Sequence, residues 1–398
     1  MTSLLSGIRS PSNRIEAADG GGRRQRRELN DARLFEPTPL GDHLDDLLEA
    51  SVSPEARPRR DEPAPEDYAR RKHSYEVLNQ YIAGGRWRAL ALAAEATILE
   101  TDPGEARALL RLWTYRVLAL CGLGHYQPAD RELARLEAAT IRTELYRRVG
   151  RGRSPTVVWP FELRVLRARI PGLAHGDWHL AIERLCALAR ACQRRAGAGG
   201  SEAELDQQRA FRMQLLVAGC AVKLRDAELA TETVGRLARA ASGDALVLSA
   251  AARLLLQLGA AAPAEKLFVA AERLVDREDE LAQTNRALYA VAAGRWEDAR
   301  ALFAAVHAAH PDNIAAANNA AVCELYLGHP QTMLNALQQL MVAAPAAAGT
   351  SEELVFNYCT GLDLHYDGAK LHAAKTKKMI EVGMWAGDGF DTASFKLQ

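Results

Sequence analysis

The stretch LYAVAAGRWEDARALFAAVHAAHPD, residues 288–312, decides the fold. Gly294 is followed two residues on by Trp296, three further by Ala299, four further by Phe303, and Pro311 closes the run. Each residue type has a physical task. Glycine ends a first helix by adopting a left-handed conformation at no side-chain cost. A small alanine lets a second helix cross the first closely, the aromatic four residues later packs between neighbouring units, and proline stops the second helix. The next segment repeats the pattern with Gly328, Leu337 and Pro345, so that 294 to 328 and 311 to 345 both span 34 residues, the period of the tetratricopeptide repeat. Working backwards, the slots are filled by Gly259, Ala264 and Phe268; by Arg225, Ala230 and Val234; and by Gly176, Trp178, Ala181 and Leu185. Earlier still come Gly124, Tyr126, Ala129 and Leu133, then Gly85, Trp87 and Ala94, with Trp113 in a first helix where such repeats often carry tryptophan. The expected architecture is all-α: a tetratricopeptide-like α-solenoid of seven to eight helical hairpins over residues 73–398, ending in a segment at 349–398.

Composition agrees. The 398 residues are rich in alanine, leucine and arginine and only 6% aromatic, which favours helices over strands. Lysine plus arginine and aspartate plus glutamate both total 50. A balanced charge disfavours an activity resting on nucleic-acid phosphates or anionic membranes. The six cysteines, Cys121, Cys186, Cys192, Cys220, Cys323 and Cys359, form no Cys-x-x-Cys pair and read as small buried hydrophobes in a reducing compartment. No apolar run is long enough for a signal peptide or a membrane span, so a cytoplasmic location is expected.

Two insertions interrupt the array. One, at 139–160, carries Arg147, Arg148, Arg151, Arg153 and Pro155; the other, at 194–206, carries Gly197, Gly199 and Gly200. Both read as surface loops. Residues 1–66, with Gly20–Gly22, an arginine cluster at 23–27 and prolines from Pro54 to Pro65, read as a mostly disordered tail. Within it Leu40, Leu44, Leu47 and Leu48 recur at helical spacing among acidic residues, so a short amphipathic helix is expected near 40–50. It either docks on a partner or caps the first repeat.

The sequence lacks the usual marks of catalysis. There is no P-loop, no His-Glu-x-x-His and no Gly-x-Ser-x-Gly elbow. His175 and His179 lie four apart with no third ligand near in sequence, and His307 and His310 read as a helix terminus. A carboxylate clamp for chaperone tails would need lysine and arginine around Asn318 and Asn319, and the neighbouring repeats supply no matching lysine. No enzyme, cofactor or metal is expected.

Several strings carry a resemblance. Asn318-Asn319-Ala320-Ala321-Val322-Cys323 followed by Leu325-Tyr326-Leu327-Gly328, then Glu352-Glu353-Leu354-Val355-Phe356-Asn357 and the ending Phe395-Lys396-Leu397, resemble the family of the twelfth subunit of the transport protein particle (TRAPP) tethering complex. Leu112-Trp113 with Arg116, Tyr126-Gln127-Pro128-Ala129, and Trp159-Pro160-Phe161 with Arg164 and Leu166 are similar to that family's earlier repeats. Met333, where the family has alanine, departs from it. The resemblance covers roughly residues 75–398. It implies a scaffold subunit of a TRAPP III-type assembly that tethers vesicles between endoplasmic reticulum and Golgi, peripheral to those membranes, with an indirect link to a Rab-family GTPase and no catalytic residues of its own. A different reading is a repeat adaptor of cell-division or cilium machinery that recruits a motor or checkpoint protein, with Ser10, Thr38 and Ser53 as phosphorylation switches.

The last hairpins look too apolar to face only water. Phe356, Tyr358, Tyr366, Met384 and Trp385, beside a solvated side bearing Lys375, Lys377 and Lys378, point to an interface buried against a large helical subunit. With Leu40, Leu44 and Leu47 they are the expected partner-binding residues.

Overall fold

The computed structural model describes residues 29–38, 41–58, 68, 72–142, 159–349 and 351–397. Among these residues there is no strand. A lone helix, α1 (His43–Ser51), precedes sixteen helices in antiparallel pairs: α2 (Tyr75–Ala83) with α3 (Trp87–Glu100), α4 (Ala106–Gly122) with α5 (Tyr126–Arg142), and α6 (Phe161–His175) with α7 (Trp178–Gly197). Then come α8 (Ala203–Lys223) with α9 (Ala227–Ala240), α10 (Ala245–Gln257) with α11 (Ala261–Glu272), and α12 (Glu280–Ala292) with α13 (Trp296–Ala309). The array ends in α14 (Ile314–Tyr326) with α15 (Pro330–Ala343) and α16 (Glu352–Asp363) with α17 (Gly368–Gly383). These eight hairpins stack as an α-solenoid.

The turns explain the periodicity. At Gly294 the backbone has φ 71°, Gly294 N–H donates to the Val291 carbonyl (3.0 Å) and Arg295 N–H to the Ala290 carbonyl (2.9 Å). The left-handed residue thus satisfies carbonyls that a helix end leaves open. Gly85, Gly124, Gly176, Gly259 and Gly328 share the positive φ. Arg225 occupies the same slot at φ 59° without glycine's freedom. Several helices begin on a side-chain cap, as where Asp226 accepts from Leu229 N–H and Asn313 from Ala316 N–H, both at 2.9 Å.

Between hairpins the aromatic slots do the packing. Trp296 stacks on Tyr326 of the next hairpin, centroids 4.0 Å apart. Phe303 and Phe268 are buried in clusters that span neighbouring hairpins. Trp113 is fully buried. A β-carbon at Gly122 would run into the Trp87 ring, and one at Gly172 into that of Trp178. Both glycines therefore act as flat seats for a tryptophan, which helical periodicity alone does not reveal.

Three sequence boundaries move. The tail expected to be mostly disordered is, over 29–38 and 41–58, packed onto the solenoid. Its apolar residues are few but well placed: Leu29 and Phe35 join the core of α2–α6, and Leu44, Leu48 and Val52 join that of α14–α17. The first insertion begins later than expected, because α5 runs to Arg142; residues 143–158 lie outside the described residues. In the second, α7 continues to Gly197 and α8 starts at Ala203, leaving a connection of 198–202.

The array closes on itself. The segment after α17 returns to the first hairpin: Asp388 N–H donates to the Gly85 carbonyl (3.1 Å), and Gly387 N–H to that of Gly349 (3.3 Å). A β-carbon at Gly389 would meet the Gly122 carbonyl at 2.9 Å, and one at Gly387 would press on the Gly85 carbonyl at 3.1 Å.

Candidate interaction surface

The candidate surface is set by which of the expected contact residues reach solvent. Leu44 is fully buried and Leu48 nearly so, both facing the terminal hairpin of the same chain. Leu47 lies half-buried at the edge of that core. Leu40 is outside the described residues. The amphipathic helix thus caps the last hairpin rather than the first, and its apolar face is already occupied. Asp42 caps it at Leu44 N–H, 2.9 Å.

That placement also covers much of the terminal hairpin. Tyr358 is buried, its ring 4.8 Å from the Lys378 amino group, and burial pushes its hydroxyl up to about 12. Lys375 and Lys378 are buried rather than solvated. Lys375 reaches Asp363 (2.5 Å) and the Lys396 carbonyl (2.7 Å), and Lys378 reaches Glu381 (2.5 Å). The apolar surplus read from the terminal helices is therefore covered largely by α1 and the C-terminal segment, not wholly left for a partner.

Four expected residues do remain outside. Phe356 is 48% exposed, Tyr366 36%, Met384 51% and Trp385 50%. Phe356 sits in the second turn of α16, and Met384 and Trp385 follow the last turn of α17. The antiparallel pairing brings these three toward one end of the hairpin, with Tyr366 and exposed Leu364 at the other. Lys396, paired with Asp363 at 2.8 Å, lies 5.1 Å above the Phe356 ring. Phe356 is thus an exposed ring flanked by a cation, a combination common at protein interfaces.

Two charged constellations, invisible to periodicity, tie together segments distant in sequence. At the closing seam Arg88 binds Asp388 with its Nε (2.6 Å) and backbone N–H (2.7 Å), and also lies near Asp42 (3.4 Å) and Asp45 (3.7 Å). Residues 300 positions apart in sequence thereby lock α1, the first hairpin and the C-terminal segment together. The second centres on fully buried Arg116, which holds fully buried Glu132 through two bonds (2.7 and 3.1 Å) and Glu95 at 3.0 Å. It also donates to the Thr38 hydroxyl (2.6 Å) and the Glu36 carbonyl (2.9 Å). Burial pushes the Glu95 carboxyl up while Arg116 pulls it down.

Segment 29–38 is a strap over α3–α5. Phe35 stacks on Trp113, centroids 4.6 Å apart, and the Trp113 indole N–H donates to the Leu29 carbonyl (2.9 Å). Glu36 N–H donates to Glu132 at 2.9 Å. Thr38 is thus engaged by Arg116, while Ser53 is exposed and Ser10 lies outside the described residues.

Among the described residues no group of three histidine, cysteine or acidic side chains could hold a metal ion. His175 instead lies 3.1 Å from Asp130. No helix among them is long and apolar enough to cross a membrane. Cys121, Cys192, Cys220, Cys323 and Cys359 are buried, and burial pushes the Cys121 and Cys359 thiols up to about 12.

Comparison with known proteins bears on what this surface serves. No protein-family model matches the chain. Trafficking protein particle complex subunit 12 of mouse is 26% identical over 362 aligned residues, covering 82% of this chain and 45% of the mouse protein. The human protein of the same name is also 26% identical, with 82% and 49% covered. The chain thus spans about half the length of the curated relatives it matches, and the resemblance read from the repeats extends over most of it. Solved structures that align include a tetratricopeptide repeat protein from Parabacteroides merdae (12% identity, TM-score 0.43, covering 69% of this chain and 98% of that one). Yeast Tom70 also aligns, at 13% identity and TM-score 0.34, covering 86% and 82%.

Proposed function

We propose that this chain is a non-enzymatic scaffold subunit of a TRAPP-type vesicle-tethering complex, acting through protein–protein contacts in transport between endoplasmic reticulum and Golgi. The observation that carries the reading is the similarity to the two subunit 12 proteins across 82% of the chain. A solenoid whose first hairpin is tied to its last segment supports it, because stacked repeats present an extended surface to partners. Its partners are then other subunits of the assembly, large helical ones among them. Its link to a Rab-family GTPase is indirect, through the complex, and its place is cytoplasmic, at the periphery of the two membranes.

The contact is assigned to the exposed end of the terminal hairpin, Phe356 with Met384 and Trp385. Leu44 and Tyr358 drop out of that surface because they are buried, and Tyr366 is set apart at the far end. Removing residues 349–398 outright is a poor test, since it would strip cover from Leu44, Leu48, Met333 and Leu334. The better test is the pair Phe356→Ser with Trp385→Ser in the full chain, purified by affinity tag from cells. Co-purification of the tethering subunits should fall sharply while helical ellipticity stays at the parent level. Undiminished recovery of those subunits by the double variant would place the contact elsewhere. Recovery of no tethering subunit by the parent chain would overturn the function itself.

A further inference from the structure

One end of the third and fourth hairpins holds three arginines around a single aspartate. Arg164 lies in the first turn of α6, Arg195 in the last turns of α7, and Asp206 and Arg209 near the start of α8. The up-down order of the helices brings these ends together. Arg195 grips Asp206 with both arms of its guanidinium, Nε and Nη2 each at 2.7 Å, and also contacts the Cys192 sulfur at 3.2 Å. Arg209 reaches the same carboxylate only at 3.6 Å, and its guanidinium lies 4.6 Å over the Phe161 ring. Phe161 and Arg164 are three apart on α6 and so share a face.

Arg164 has no acidic partner within ion-pair distance among the described residues. Burial lowers its proton affinity first, and Arg195 and Arg209 lower it further against the opposing influence of Cys192 and Asp206. An arginine remains charged under such conditions, so the energetic cost stays in the fold unless something external relieves it. Asp206, already held low by Arg195, has one carboxylate to offer three guanidiniums. Glu202 and Glu204 are exposed nearby and make no ion pair with the three arginines among the described residues. The N-termini of α6 and α8 add positive dipole ends to the same spot.

We infer that the Arg164–Arg209 face is a docking site for an acidic peptide segment of a partner protein, a carboxylate of that segment entering between the two guanidiniums. A forked guanidinium binds a carboxylate in the plane that Arg195 already displays with Asp206. A membrane surface or a nucleic acid would call for a broad field of cations. Here three arginines gather around one carboxylate at a single set of helix ends, on a chain of zero net charge. The site is distant in sequence from the terminal hairpin and does not depend on the tethering proposal.

The test uses the full chain and a fluorescein-labelled peptide of alternating glutamate and leucine, with a glutamine-for-glutamate control, read by anisotropy. The glutamate peptide should bind at least about tenfold tighter than its control, and Arg164→Gln should erase about tenfold of its affinity, the loss expected for one charge-assisted bond. Arg164→Lys should restore part of it, because charge returns without the fork. Circular dichroism verifies that each variant keeps its helices. Equal binding of the two peptides, or an unchanged affinity in Arg164→Gln, would overturn the assignment. So would binding to phosphatidylserine vesicles that exceeds peptide binding and disappears in the same variant.

Discussion

Arg116 offers the most demanding test of how this molecule is held together. Its guanidinium serves Glu132, Glu95, the Thr38 hydroxyl and two backbone carbonyls, those of Glu36 and Ala91, and both Arg116 and Glu132 are sealed from water. Arg116→Met strands a buried carboxylate, which costs about 3–5 kcal/mol. Glu132→Leu should sit at the low end of that range, about 3 kcal/mol, because Arg116 keeps Glu95 at 3.0 Å. Combining the two removes both charges together. What is then lost is chiefly the donor to two carbonyls and one hydroxyl, roughly 1 kcal/mol each. The double variant should therefore be no worse than the harsher single one, a coupling of at least about 3 kcal/mol. Urea denaturation followed by helical ellipticity measures it. Hydrogen exchange adds a positional check: in Arg116→Met the amides of 29–38 should lose protection before those of α10–α13, since the strap hangs on this side chain. A coupling below about 0.5 kcal/mol, or a strap as protected as in the parent, would refute the hub.

Phe303→Ala, opening a cavity in the α12–α14 core, should cost about 3–5 kcal/mol and spread to the flanking hairpins, as thermal melts would register. Arg225→Gly should stabilise by roughly 1 kcal/mol, because φ 59° strains any residue with a β-carbon; a lowered midpoint in urea would contradict the turn geometry. Leu44→Asp should lower the melting temperature, whereas Leu47→Asp, at the edge of the same core, should lower it far less; equal effects would mean that α1 sits differently. In the native chain Cys121 and Cys359, their thiols pushed up to about 12, should resist alkylation at neutral pH while half-buried Cys186 reacts first, as peptide mapping would show.

Much of this architecture was legible because its cause is local. A glycine at a left-handed turn, a tryptophan two residues later and a proline after the second helix act within one hairpin, so their 34-residue recurrence survives as a pattern in the chain. Arg225 shows the limit of that legibility, keeping the backbone of the slot without its usual residue. The candidate surface was half legible. Phe356, Met384 and Trp385 were found as apolar residues in a terminal segment, and they are exposed. Leu44 and Tyr358 carry the same signal and are buried, because apolarity marks a side chain that needs covering without saying by what.

That cover is the part only the tertiary structure decided. The sequence by itself determined helices, their pairing and their period, since these follow from contacts within about forty residues. Nothing in it distinguished a free tail from a strap, because Leu29, Phe35 and Leu44 are sparse among glycine, proline and arginine and find their partners 78 or more residues away. Nothing in the sequence pairs Arg88 with Asp388; the stacking angle of eight hairpins, a sum of many small rotations, brings the first turn beside the last segment. Burial of α1 then follows from closure, and with it the choice of which apolar residues remain for a partner.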